Sequence, residues 1–96
     1  MVLFRAAAEA DLREAFAYYA GIDPELGDGF LDAVDEAVGR ASEHPLAHRI
    51  VHGPLRRVGL MRFPHGLYFR VVRDEVLVVV ACIHPARDPS VWMGRR

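Results

Sequence analysis

All twelve cationic side chains of this 96-residue sequence are arginines, and lysine is absent. A guanidinium stays charged at any physiological pH and offers a planar fork of donors that matches phosphate and carboxylate. Chemistry that needs a titratable lysine is therefore excluded, while the holding of anions is open. A coding bias toward arginine would also produce this composition. The charges are segregated: residues 1–43 carry ten acidic side chains against three arginines (net −7), and residues 44–96 carry nine arginines against three acids (net +6). That asymmetry permits a nucleic-acid or acidic partner without predicting one. His84 follows an apolar run and reads first as a strand-end residue bonded to backbone. His44, His48 and His52 recur every four residues, but Pro45, Gly53 and Pro54 interrupt any helix there. No cysteine or carboxylate cluster joins them, so no metal site is expected. Arg70 either pairs with a helix carboxylate such as Glu36 or holds a functional position. Trp92 is either a lid on the core or an exposed anchor, and Cys82, inside an apolar run, reads as a small buried hydrophobe.

The elements that must position these residues are legible from periodicity. Val2–Arg5 is a short apolar run, read as a first strand. Ala8, Leu12, Ala15, Phe16 and Tyr19 recur at spacings of three and four, which predicts a helix over 7–20, without a clear N-cap residue and with Gly21 as its stop. Tyr18 and Tyr19 fall at the core and rim of this helix. Asp23-Pro24 is a cap followed by proline at the first helical position, and Phe30, Val34, Ala37, Val38 and Ala41 continue a second apolar stripe toward His44-Pro45. Two helices this close in sequence form an antiparallel hairpin. Residues 45–54 read as a loop. Three strands follow, Leu55–Phe63, Leu67–Val72 and Val76–Ile83, joined by turns at Pro64-His65-Gly66 and Arg73-Asp74-Glu75. The last is apolar on both faces, as in a centrally placed strand. The hairpin covers one face of such a sheet, and the remaining chain looks too short to cover the other.

Ninety-six residues, 52% of them hydrophobic and 26% charged, make one ordered domain spanning 1–96. A single cysteine excludes a disulfide framework and fits a reducing compartment. The first eleven residues hold too few apolar side chains for a signal-peptide core. The eight-residue run Val76–Ile83 is far short of the roughly 20 residues that span a bilayer. A soluble cytoplasmic protein with no membrane association is expected, and nothing in the sequence calls for a cofactor.

Taken in order, DLREAFAYYA from Asp11, the Leu26–Leu31 helix start, Glu43-His44-Pro45, Arg62-Phe63-Pro64, Leu67–Val71 and the closing His84-Pro85-Ala86-Arg87-Asp88-Pro89 resemble the RelE/ParE superfamily of bacterial toxins. The resemblance covers essentially the whole chain. It implies an α+β fold: an N-terminal strand and an α-helical hairpin packed on an antiparallel sheet completed by a C-terminal three-strand meander. It further implies the toxin of a type II toxin–antitoxin system, held in a hetero-oligomer with its antitoxin.

Two branches of that superfamily differ in target. ParE-like relatives poison DNA gyrase, and the HPARDP end leans toward them, with Arg87 at a basic position and Ala86 departing from the second basic residue common there. On this reading Arg87, Trp92, Arg95 and Arg96 contact the target, and the partner is a ParD-like ribbon-helix-helix antitoxin. RelE-like relatives cleave messenger RNA on the ribosome. For that alternative Arg56, Arg62, Arg70 and Arg87 would supply phosphate-neutralising cations, with Arg57 beside them, and His84 would serve as general base. Against it, no tyrosine follows Tyr68. An inactive antitoxin-binding remnant is the further alternative. The antitoxin is expected to fold onto Phe16, Tyr19, Phe30, Val34, Tyr68, Arg70 and Val78, with a helix in a groove and a strand at the sheet edge.

Overall fold

The computed structural model describes residues 1–73 and 75–96, so residue 74 of the expected Arg73–Glu75 turn lies outside it. Strand β1 (Val2–Phe4) leads into helices α1 (Ala6–Ile22) and α2 (Pro24–Glu43). Strands β2 (Ile50–His52), β3 (Leu55–Gly59), β4 (Gly66–Val72) and β5 (Val76–Ile83) follow, and a single-turn helix α3 (Ser90–Met93) closes the chain. The sheet order is β1-β5-β4-β3-β2. Strands β2 to β5 are antiparallel neighbours, whereas β1 lies parallel to β5 with Val2, Leu3 and Phe4 opposite Leu77, Val78 and Val79. The most apolar strand thus has a neighbour on each side.

One residue makes the corner between the helices. The Asp23 N–H donates to Tyr19 O and ends α1, while its carboxylate accepts from the Glu25 N–H at 2.9 Å and starts α2. Pro24 sits in the first turn, where no amide hydrogen is needed. The helices approach closely because Gly27 has no side chain: a Cβ there would lie 2.8 Å from that of Ala20. Their apolar stripes, including Ala8, Ala15, Phe30, Val34 and Ala37, pack on Val58, Leu67, Phe69, Leu77 and Val79 of the sheet.

The second face of the sheet is covered, contrary to the expectation from chain length. Leu55, Tyr68, Val78, Val80, Ala81 and Ile83 form a second cluster closed by Trp92 of α3. The indole is only 8% exposed and stacks on Tyr68 with ring centres 4.2 Å apart. The segment 45–54, read as a loop, contains a 3₁₀ turn at Pro45–Ala47 and the edge strand β2. The strand predicted over Leu55–Phe63 stops early, at Gly59, because residues 60–65 form a turn in which the Leu60 N–H donates to His65 O and Arg62 takes a positive φ of 70°.

Candidate functional site

Two grooves meet at the C-terminal end of β5. The first, about 410 Å³, runs between α1 and that strand end. Asp11, Glu14, Tyr18 and Ile22 of the helix form one wall; Cys82, Ile83, His84 and Arg87 form the other, with Tyr19 and His65 beneath. Tyr18 and Ile22 stand four residues apart and are 67% and 62% exposed, an apolar strip on a helix that has already buried its core stripe. The second groove, about 480 Å³, crosses the opposite face of the sheet and is lined by Arg49, Arg57, Tyr68, His84, Arg87 and Trp92, among others. His84 and Arg87 belong to both.

The HPARDPS segment shapes this junction through local hydrogen bonds. The Ala86 N–H donates to His84 Nδ1 at 3.0 Å, and the Arg87 N–H donates to His84 O. The Asp88 carboxylate accepts from the Ser90 N–H, which holds its pKa below the usual value and starts α3. His84 is therefore bonded to backbone as its strand-end position suggests. In the neutral ring the proton must sit on Nε2, so the free nitrogen is a donor.

Beneath the first groove lies an aromatic cluster. His65 contacts Tyr19, Phe30 and His84 with ring centres 5.9, 5.4 and 5.4 Å away, and Phe63 packs against Tyr19 and Phe30. Burial, and secondarily the neighbouring His84, holds the His65 pKa below its ordinary value, and its Nδ1 is buried without a hydrogen-bond partner. Burial likewise raises the Tyr19 hydroxyl pKa. Burial, then Asp11, pushes the Cys82 thiol up to about 12.

Asp11 has another task. Strand β1 pairs with β5 only as far as Val79, and the edge beyond would be left bare. There the Asp11 carboxylate accepts from the Cys82 N–H at 3.0 Å and from Arg95 Nη1 at 2.6 Å, while Arg95 Nη1 also donates to Val80 O at 3.1 Å. Two side chains thus serve strand groups that β1 does not reach. Arg95 is engaged by this clamp, and Trp92 packs in the second core with one edge lining the second groove, so neither stands out as an exposed anchor. Arg96 is exposed and its carbonyl accepts from Arg5 Nε; Arg87 is exposed with an open guanidinium.

The cations expected to form a ribonuclease centre are dispersed. Arg56 donates to the carbonyls of Leu46 (3.1 Å) and His48 (2.8 Å), which ties the 45–48 segment to β3. Arg62 lies over Phe63 and against Gly29 of α2, lining neither groove. Arg70 Nε is buried without a partner, and its expected mate Glu36 pairs instead with Arg40 one turn along α2. Only His84 and Arg87 of that set come together.

Of the residues expected to receive an antitoxin, Phe30, Val34, Tyr68 and Val78 are buried in the two cores and present little surface in this conformation. Phe16, Tyr19 and Arg70 remain half-buried. Sequence reasoning missed Tyr18 and Ile22 as groove wall, although their spacing off the core stripe was visible. It also missed His65, hidden in a Pro-His-Gly turn, and Arg49. Among the described residues no cluster of three histidine, cysteine or carboxylate groups is set to hold a metal, and no helix is long and apolar enough to cross a membrane.

A strand, a helical hairpin and a meander with a capping tail define the architecture of RelE/ParE-superfamily toxins, and comparison with known proteins agrees. A solved structure described as the chromosomal ParDE TA system from P. aeruginosa superposes with a TM-score of 0.74 at 18% identity, over 86% of this chain and 92% of that one. No curated protein sequence matches. The family described as the ParE toxin of the type II toxin–antitoxin system parDE matches residues 2–89. The chain belongs to that family and is a toxin of the type II class.

Proposed function

We propose that this chain acts as a ParE-like toxin that poisons DNA gyrase and is neutralised when a cognate, ParD-like antitoxin folds onto it. The observation that carries the antitoxin half is the first groove, whose exposed Tyr18 and Ile22 stand across from Ile83 with the Tyr19 and His65 rings beneath. An amphipathic segment that orders on binding fits such a surface. The dispersal of Arg56, Arg62 and Arg70, together with a His84 ring whose Nδ1 is already taken up by the Ala86 N–H, favours gyrase over messenger RNA as the target.

Expression in a bacterial host separates the targets. Filamentation and induced DNA-damage signalling with intact transcripts is the expected result. Ribosome-dependent cleavage of transcripts, lost in His84→Ala, would replace this reading with ribonuclease activity. For the partner, Ile22→Asp is expected to abolish co-purification with the antitoxin encoded beside it while the variant's circular dichroism stays native. Retained co-purification would move the interface elsewhere.

A further inference from the structure

The second groove differs from the first in its charge. Arg49, Arg57 and Arg87 line it together with His84, and none of its lining residues is acidic. Among the described residues the ion pairs are Glu36–Arg40 and Asp11–Arg95, and no carboxylate of those residues lies within salt-bridge reach of the three guanidinia. Three arginines converge on one cleft with no acidic residue in its lining, which leaves their positive charge open to an anion.

The framework beneath them is a stack of packed planar groups. The Arg57 guanidinium lies over the Tyr68 ring at 5.8 Å, and Tyr68 stacks in turn on Trp92. Gly66, on the neighbouring strand, has no side chain to collide with the Arg57 guanidinium. Stacked in this way the guanidinium keeps its N–H edge for a ligand. His84 adds a donor at Nε2, because Nδ1 is already accepting from Ala86. All of these charged and polar edges donate, which suits a phosphodiester.

The span matters as well. Arg49 precedes β2, Arg57 is on β3 and His84 and Arg87 follow β5, and the sheet runs β5-β4-β3-β2. Three inter-strand spacings cover about 14 Å, room for more than one phosphate at the roughly 3.4 Å per-strand rise of stacked nucleic acid. The groove volume of about 480 Å³ is that of a small-molecule pocket and takes one strand, not a duplex. An acidic peptide is the competing occupant. Entering along the first groove, it would meet Asp11 and Glu14 before reaching the arginines.

We propose that the cleft formed by Arg49, Arg57, His84 and Arg87 binds the phosphodiester backbone of single-stranded nucleic acid. It does so without cleaving it and without distinguishing DNA from RNA, since contacts to phosphate are common to both. This goes beyond the toxin reading; the cleft shares His84 and Arg87 with the antitoxin groove, while Arg49 and Arg57 belong to it alone.

The test is fluorescence anisotropy of labelled oligothymidine and oligouridine of about 12 nucleotides titrated with the intact chain at several salt concentrations. Both strands are expected to bind with similar affinity, with Trp92 emission changing in parallel. Arg49→Gln and Arg87→Gln, which remove exposed side chains that bond to none of the described residues, should each weaken binding about threefold or more and reduce the log–log salt slope by about 0.7. Arg13→Gln, on the exposed face of α1, should change neither. Absence of binding at low salt, slopes unchanged in both cleft variants, or equal affinity for duplex would overturn the proposal. Preferential binding of a polyglutamate peptide would also overturn it and give the cleft to an acidic partner.

Discussion

His65 and Cys82 show how burial tunes single residues at the first groove. The folded chain holds His65 below the ordinary histidine value of 6.5, chiefly through burial. As pH falls through that value the unfolded chain takes up the proton first, so this residue's contribution is full above it and is lost below. The stability difference between wild type and His65→Phe should therefore move in favour of the variant between about pH 7.5 and pH 5, read from urea midpoints at each pH. A difference that stays constant with pH would show that burial does not hold this ring neutral. Cys82 makes the complementary case. Its thiol is 3% exposed and pushed up to about 12, so almost no thiolate exists at neutral pH. Native protein should resist alkylation for hours and react fully in denaturant, with labelling followed by mass. Prompt labelling of the folded chain would contradict the burial.

At the scale of elements, the glycines of α2 separate propensity from packing. Gly39 has open space where a Cβ would go, whereas a Cβ on Gly27 would press into Ala20 and Phe16. Gly39→Ala should stabilise by about 0.5–1 kcal/mol. Gly27→Ala should destabilise by about 1–3 kcal/mol despite the same gain in propensity. Both are measurable by thermal melts, and a stabilising Gly27→Ala would mean that the hairpin is loosely packed. On the other face, Trp92→Ala removes the closing side chain of the second cluster and should cost about 3–5 kcal/mol in chemical unfolding, with Trp92→Phe recovering much of it. These elements were not equally readable. The helices announced themselves because Ala8, Leu12, Ala15 and Phe30, Val34, Ala37 repeat at helical spacing, and the Asp23-Pro24 corner is local chemistry. Strand β2 lay hidden between Pro45 and Gly53-Pro54, since three residues at a sheet edge carry no periodicity. The tail was opaque for another reason: a four-residue helix is held by Tyr68, distant in sequence, and only the folded sheet reveals that contact. The same holds for the parallel β1–β5 pair and for the cleft arginines, whose grouping depends on strand order.

For the molecule as a whole, the ends of the chain are tied together where the sheet is incomplete. Strand β1 runs out at Phe4, opposite Val79, and the rest of the β5 edge is satisfied by Asp11 from α1 and Arg95 from the tail. Their side chains are 13% and 23% exposed, so the pair is neither a surface ion pair of negligible worth nor a fully desolvated one. The two partners are not equivalent. Removing Arg95 frees one Val80 carbonyl, which has a second lone pair, and leaves the Asp11 carboxylate still accepting from the Cys82 N–H. Removing Asp11 strands the Cys82 N–H, a group with a single hydrogen to give, and also leaves Arg95 unpaired. Asp11→Ala should thus cost about 1–3 kcal/mol and more than Arg95→Ala. The double variant should cost little more than Asp11→Ala alone, with a coupling of about 0.5–3 kcal/mol. Hydrogen exchange localises the effect: in Asp11→Ala the Cys82 amide should lose protection ahead of the β4–β5 ladder. Strictly additive losses, or a Cys82 amide still protected without Asp11, would show that the edge is closed by something other than this clamp. If the clamp acts as described, loosening it also loosens the tail that carries Trp92, and with it one wall of the arginine cleft. Anion binding and fold stability would then decline together in Asp11→Ala but separately in Arg49→Gln.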